Sequence, residues 1–125
     1  MNNQKNIVLC GVGGQGTVLA SKLLAAAAMS KDIPVMSAET IGMAQRGGSV
    51  FSHLRMGNDL YSPMIETGTA DLIIGFEPGE TVRMLPYLKT GGHVVVSTRA
   101  VKPVTATLSG FDYDAPQMLD LSLIY

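Results

Sequence analysis

The chain has 125 residues, enough for one domain with one core, and 46% of them are apolar against 15% charged, so another protein is expected to cover part of the surface. Net charge is -1 and no stretch gathers Lys or Arg, which argues against nucleic acid or an anionic membrane as the main partner. One cysteine and two histidines make neither a zinc site, an iron-sulfur site nor a disulfide, and the polar start from Met1 to Asn6 is no signal peptide, so a cytoplasmic location is expected.

Ile7 to Cys10 reads as a strand that runs into Gly11-Val12-Gly13-Gly14-Gln15-Gly16 and then into a helical stretch from Thr17 to Met29. Strand, glycine turn and helix together suit a phosphate, because unpaired amides at a helix start point at the ligand where the dipole favours negative charge. Gly11 permits the turn, Gly13 lets backbone approach an anion, and Gly16 lets the helix pack close to its strand. A tight turn that uses glycine only for packing is the competing reading. For Gln15 and Thr17, turn stabilisation and helix capping weigh as much as ligand contact. Cys10 reads as a small core hydrophobe.

In the helix, Ala20, Leu23, Leu24 and Ala27 are spaced to lie on a sheet, and Ser21 and Lys22 interrupt an apolar run already too short to span a bilayer. Asp32-Ile33-Pro34 ends it, and Val35 to Ala38 is a second strand closing at Glu39, in a parallel strand-helix-strand unit. Glu39 lies 23 positions beyond Gly16, near the distance at which an acid binds ribose in dinucleotide sites; capping or an ion pair explains it equally. Thr40 to Gly48 is glycine-rich and reads as a loop, where Arg46, followed by Gly47 and Gly48, offers a planar fork to a phosphate, a carboxylate or a partner subunit. Met43 beside it could touch an aromatic substrate.

Ser49 to Met56 has strand composition, Gly57-Asn58-Asp59 makes a turn, and Leu60 to Ile65 is expected to return antiparallel as an edge, given Pro63. His53 and His93 read as structural or surface histidines. Asp71 to Phe76 is expected to be a fully buried strand; Pro78 opens a helix through Leu85, with Glu77 and Glu80 explained by its N-terminus, and Pro86 kinks or ends it. Gly91-Gly92 closes the helical region before a last core strand, His93 to Ser97. The pattern weakens from Val101 onward, and the apolar finish to Tyr125 reads either as an edge element or, the favoured reading, as a shortened domain. The fold class is therefore α/β: a Rossmann-like, mostly parallel sheet flanked by helices, with an antiparallel hairpin inserted.

The pair of motifs Gly11 to Thr17 and Gly42 to Val50 resembles the gamma subunit of the 2-oxoacid:acceptor (ferredoxin) oxidoreductases. The likeness continues through Tyr61-Ser62-Pro63, Glu77 to Arg83 and Leu88 to Gly92, and so covers nearly the whole chain. Gln45-Arg46-Gly47-Gly48 is closer to the beta subunit of indolepyruvate oxidoreductases than to pyruvate or oxoisovalerate relatives, which tend to carry Met at the first of these positions. The resemblance implies a part in oxidative decarboxylation of an arylpyruvate to an acyl-CoA, with electrons leaving to ferredoxin. It implies thiamine diphosphate and iron-sulfur clusters in a larger partner subunit, and a domain here that helps bind coenzyme A. Members carry a further C-terminal segment, so this chain is expected to be a C-terminally shortened gamma-type domain.

The residues themselves fit a supporting role, since no side-chain set here can act as the electron sink that decarboxylation needs. Gly11, Gly13, Gly14, Gln15, Gly16 and Thr17, with Glu39, Arg46, Gly47 and Gly48, are the expected ligand-binding set; no catalytic residue and no metal ligand is expected. The alternative is a free-standing NAD-type nucleotide module resting on the glycine turn and Glu39. A third, weaker reading is a remnant that binds nothing. Whether the isolated chain is a homodimer is left open.

Overall fold

The structure is a computed structural model, and it describes residues 4–41 and 48–98. In chain order the elements are β1 (Lys5–Val12), α1 (Thr17–Ser30), β2 (Val35–Ile41), β3 (Ser49–Met56), β4 (Ala70–Gly75), α2 (Pro78–Met84), a 3-10 turn (Leu85–Tyr87) and β5 (Leu88–Val96). They form one five-stranded sheet in the order β2-β3-β1-β4-β5. β1, β4 and β5 are parallel, and β3 runs antiparallel to both β1 and β2, so four of the five strands share one direction. The expected α/β class holds. The antiparallel insertion is β3 itself, which separates β1 from β2.

That insertion corrects two expectations. β1-α1-β2 is parallel as expected but has β3 between its two strands, and Leu60 to Ile65 does not return as a strand. Both edges of β3 are occupied, so no edge is left for a return. The 57–66 segment instead crosses as a loop, fixed where Arg55 Nη1 donates to the Ser62 carbonyl (2.8 Å) and the Ile65 amide donates to His53 Nδ1 (2.8 Å).

β1 sits at the centre because Val8, Leu9 and Cys10 can be buried on both faces at once. Ile7 and Leu9 face Ala20, Leu24 and Ala25 of α1, whereas Val8 and Cys10 face Val82, Met84 and the 3-10 turn. Successive strand residues point oppositely, so the two helices lie on opposite faces of the sheet. α1 lies over β1, β2 and β3, leaving Leu72 and Ile74 of β4 only half-covered. β4 is therefore not the fully buried strand expected.

α1 keeps Ala20 and Leu24 on the sheet as expected but turns Leu23 and Ala27 outward. Thr17, Ser21 and Ala28 are buried against the sheet, while Leu19 (61%), Leu23 (62%) and Met29 (64%) point to solvent and Ala27 is exposed. Small side chains bring the helix close to the sheet, over the buried Ser52 of β3. The helix ends in a Schellman motif: the Ile33 amide reaches the Ala28 carbonyl, the Asp32 amide reaches Met29, and Asp32 takes the left-handed conformation (φ 59°). Pro86 does stop α2, tightening the chain into the 3-10 turn, but Gly91 and Gly92 lie inside β5. A Cβ on Gly92 would sit 3.1 Å from the Ala70 carbonyl, and the register with β4 shifts there, so these glycines serve an irregular strand. Among the described residues no helix is long and apolar enough to cross a membrane.

Candidate functional site

The turn after β1 is built from residues that cannot clash. Gly14 (φ 93°) and Gly16 (φ 89°) both occupy the region that disfavours side chains, and Gly16 caps α1 without a side-chain acceptor. A Cβ on Gly16 would meet nothing within 4 Å, so its role is conformational. Close packing belongs to Gly11, where a Cβ would lie 2.6 Å from Thr17 Oγ1 and 2.8 Å from Gln15 Oε1. The packing role expected of Gly16 is thus carried by Gly11.

Gln15 is a brace. Its Oε1 accepts from the Val12 amide (2.7 Å) and its Nε2 donates to the Phe76 carbonyl (3.2 Å), tying the turn to the end of β4. The Gly13 amide donates to the Gly48 carbonyl (2.8 Å) and the Gln15 amide to Val12 (3.2 Å). Among the described residues no acceptor meets the amides of Gly14, Gly16, Thr17, Val18 and Leu19. These donors border an open cleft of about 270 Å³ lined by Val12, Gly13, Gly14, Gly16, Thr17, Val18, Leu19 and Val50. Thr17 is buried, and its Oγ1 has no hydrogen-bond partner among the described residues. A helix N-terminus and bare amides together make a receptor for an anionic oxygen, whereas the Thr17 hydroxyl is buried against Gly11.

The structure brings Gly11, Gly13, Gly14, Gln15, Gly16, Thr17 and Gly48 together at this end of the sheet. Arg46, Gly47 and Met43 lie outside the described residues. Glu39 is exposed on β2, opposite Ser52 of β3, and is not among the residues lining the cleft. With β3 between β1 and β2, Glu39 stands two strands from the turn, where a dinucleotide acid would stand one strand away. Sequence reasoning missed Val50 and Leu19 as cleft walls. Alternation along β3 places Val50 on the α1 face with Leu54, a signal that becomes usable only once β3 is known to neighbour β1.

Titratable groups near the turn belong to the α2 side. Glu77 caps α2, its carboxylate accepting from the Glu80 amide (2.9 Å), with Pro78 in the first turn as expected. Glu80 is buried; burial raises its pKa, opposed by the Ser49 hydroxyl that donates to it (2.9 Å) and by Arg83 at 3.9 Å. Cys10 is buried beneath them, and burial pushes its thiol up to about 12, with Glu80 and Glu77 adding to the effect against a weak Thr81 contact. Such a thiol is no nucleophile. Burial lowers the pKa of His53, which lies against Tyr87 with ring centroids 5.1 Å apart; His93 is exposed on β5. Among the described residues no three His, Cys, Asp or Glu side chains converge to hold a metal.

A family model described as pyruvate ferredoxin/flavodoxin oxidoreductase matches residues 6–123. The chain belongs to this family. Indolepyruvate oxidoreductase subunit IorB of Pyrococcus horikoshii is 45% identical over 103 residues, covering 82% of this chain and 51% of that protein. The subunit of the same name from Archaeoglobus fulgidus is 44% identical over 108 residues, covering 86% and 53%. The chain thus spans about half the length of the curated relatives it matches. A solved 2-oxoglutarate:ferredoxin oxidoreductase of Magnetococcus marinus, with 2-oxoglutarate, coenzyme A and succinyl-CoA bound, contains the same fold (TM-score 0.66, 20% identity, 77% of this chain and 16% of that one). Within the pyruvate ferredoxin/flavodoxin oxidoreductase family, then, this chain carries the glycine turn at the switch between β1 and α1, and its cleft opens there.

Proposed function

We propose that the chain is a non-autonomous subunit of a 2-oxoacid:ferredoxin oxidoreductase of the indolepyruvate or arylpyruvate type, lending a surface for coenzyme A and for a larger partner. The observation that carries this reading is the set of amides left bare among the described residues around the cleft, which fit a phosphate of coenzyme A. Thiamine diphosphate in the partner would supply the electron sink for decarboxylation, and iron-sulfur clusters there would pass electrons to ferredoxin. This chain's own part is to bind and orient. The amides of Gly14 to Leu19 would hold the anion, Gln15 would keep the turn in shape, and Leu19 and Val50 would exclude water along the cleft walls. Partner binding is supported by the outward face of α1, where Leu19, Leu23, Ala26, Ala27 and Met29 leave Lys22 as the lone charge. An apolar helix face of that kind is normally covered.

The NAD-type reading ranks below this one, because Glu39 is displaced from the cleft by an intervening strand. Isothermal titration of the full chain with coenzyme A and with NAD separates the two: heat with coenzyme A and none with NAD is expected, and the converse would reverse the order. Gly14→Ala should weaken coenzyme A binding about five- to thirtyfold, because a side chain at φ 93° costs about 1–2 kcal/mol and turns the local amides. A Cβ there meets nothing within 4 Å, so the fold should survive, as circular dichroism would show.

A further inference from the structure

The glycine turn has little stiffness of its own. Gly11, Gly13, Gly14 and Gly16 impose no side-chain restraint, and two of them sit at positive φ, so the direction of the amides depends on what grips the turn from outside. One grip is Gln15, whose amide nitrogen holds the Phe76 carbonyl at the β4–α2 junction. The other is the Gly48 carbonyl, which receives the Gly13 amide at 2.8 Å and so fixes the plane of the peptide that enters the turn. Gly48 stands at the mouth of β3, just outside the ladder that pairs Ser49 with Val12. The Ser49 side chain adds a second anchor. Ser49 Oγ donates to Glu80 Oε1 at 2.9 Å, and Glu80, 3% exposed, stands on the first turn of α2, three residues after the cap that accepts its own amide.

We propose that Glu80 is a positioning residue for the anion-binding turn, acting through Ser49 and the Gly48 carbonyl on the Gly13 amide. Both grips then converge on the start of α2: Phe76 through Gln15 on one side, Glu80 through Ser49 on the other. A buried acid is a costly way to hold a helix start that Glu77 already caps, and its carboxylate accepts from Ser49 with Arg83 at 3.9 Å from the same oxygen. A strong acceptor in a dry place is what a single serine hydroxyl needs to hold one orientation. The proposal concerns how the turn is held; that the turn binds coenzyme A rests on the function proposed above.

The test reads the Gly13 amide directly, by hydrogen exchange in the full chain, so it does not depend on any ligand. Ser49→Ala removes the donor and Glu80→Ala the acceptor, whereas Glu80→Gln keeps an acceptor oxygen at the same reach without the charge. Exchange at Gly13 should quicken about five- to tenfold in Ser49→Ala and Glu80→Ala, as expected for the loss of one hydrogen bond's local protection, while Val8 and Leu9 in the core hold their rates. Glu80→Gln should fall between the parent and Glu80→Ala, since it keeps an acceptor oxygen but loses the charge that strengthens the bond. Unchanged Gly13 exchange in Ser49→Ala would overturn the proposal, as would an acceleration shared equally by Val8 and Leu9, or a Glu80→Gln no better than Glu80→Ala. If Glu80→Ala does not fold, Ser49→Ala and Glu80→Gln decide alone. Coenzyme A titrations of the same variants should follow the same order; absence of binding by the parent would reject the ligand and leave the exchange result standing.

Discussion

At the scale of single residues, the polar groups of this protein are placed where an apolar core would have been simpler. His53 is the clearest instance: its Nδ1 accepts from the Ile65 amide, its ring packs on Tyr87 and Phe51, and its Nε2 has no partner among the described residues. Accepting at Nδ1 requires the neutral ring, and burial lowers the pKa from its ordinary 6.5. The unfolded chain therefore takes up this proton first, so the stability that His53 contributes is complete above about 6.5 and is lost as pH falls below it. Glu80 works in the opposite sense, because a raised pKa gives stability that is lost as pH rises through it. His53→Asn keeps an acceptor for Ile65 and removes the titration. It should cost about 1–3 kcal/mol at pH 7 through lost ring packing, yet flatten the fall in melting temperature between about pH 7 and 5. Melting curves of both proteins across that range check it, with Glu80 common to both; parallel pH slopes would sink the argument.

At the scale of elements, the approach of α2 to the sheet is set by Gly75. A Cβ there would lie 1.7 Å from Thr81 Oγ1, which donates to the Glu77 carbonyl at 2.8 Å and cannot swing aside without giving up that bond. Gly75→Ala should cost about 3 kcal/mol, near the upper end for overpacking, and lower the melting temperature by about 10 °C. Adding Thr81→Ala should return part of it, because the hydroxyl contact is removed while the Thr81 Cβ stays 2.9 Å from the new methyl; a double mutant no better than the single would place the strain elsewhere. The sequence made β1, α1, β3, β4 and α2 legible, since each carries its own period, cap or glycine turn. It could not show that β3 enters between β1 and β2, because strand order depends on which edges remain free. That one insertion accounts for the missing return at 60–65 and for the distance of Glu39 from the cleft. The outward leucines of α1 misled for a different reason. Helical spacing identifies an apolar face, but α1 is apolar nearly all round, and Thr17, Ser21 and Ala28 share the sheet side with Ala20, Leu24 and Ala25 while Leu23 turns outward.

At the scale of the whole molecule, an excess of apolar surface and a shortage of charge should govern how the chain assembles. The exposed stripe of α1 runs from Leu19 on the wall of the cleft through Leu23 to Met29, so a partner seated on it would also border the proposed coenzyme A site. Burial of such a stripe is driven by apolar area rather than by charge. Salt shortens the reach of exposed charges from about 14 Å at 0.05 M to about 4 Å at 0.5 M, while leaving apolar contact in force. Binding to the proposed thiamine-containing large subunit should therefore change less than about threefold over that range, with little electrostatic steering of the on-rate. Leu23→Glu should weaken the same association by at least about tenfold, since it places a carboxylate in a dehydrated contact. In the free chain the side chain is exposed, so the melting temperature of Leu23→Glu should match the parent, and a thermal melt separates interface loss from misfolding. A steep salt dependence together with an indifferent Leu23→Glu would move the interface off α1 and onto the charged loops.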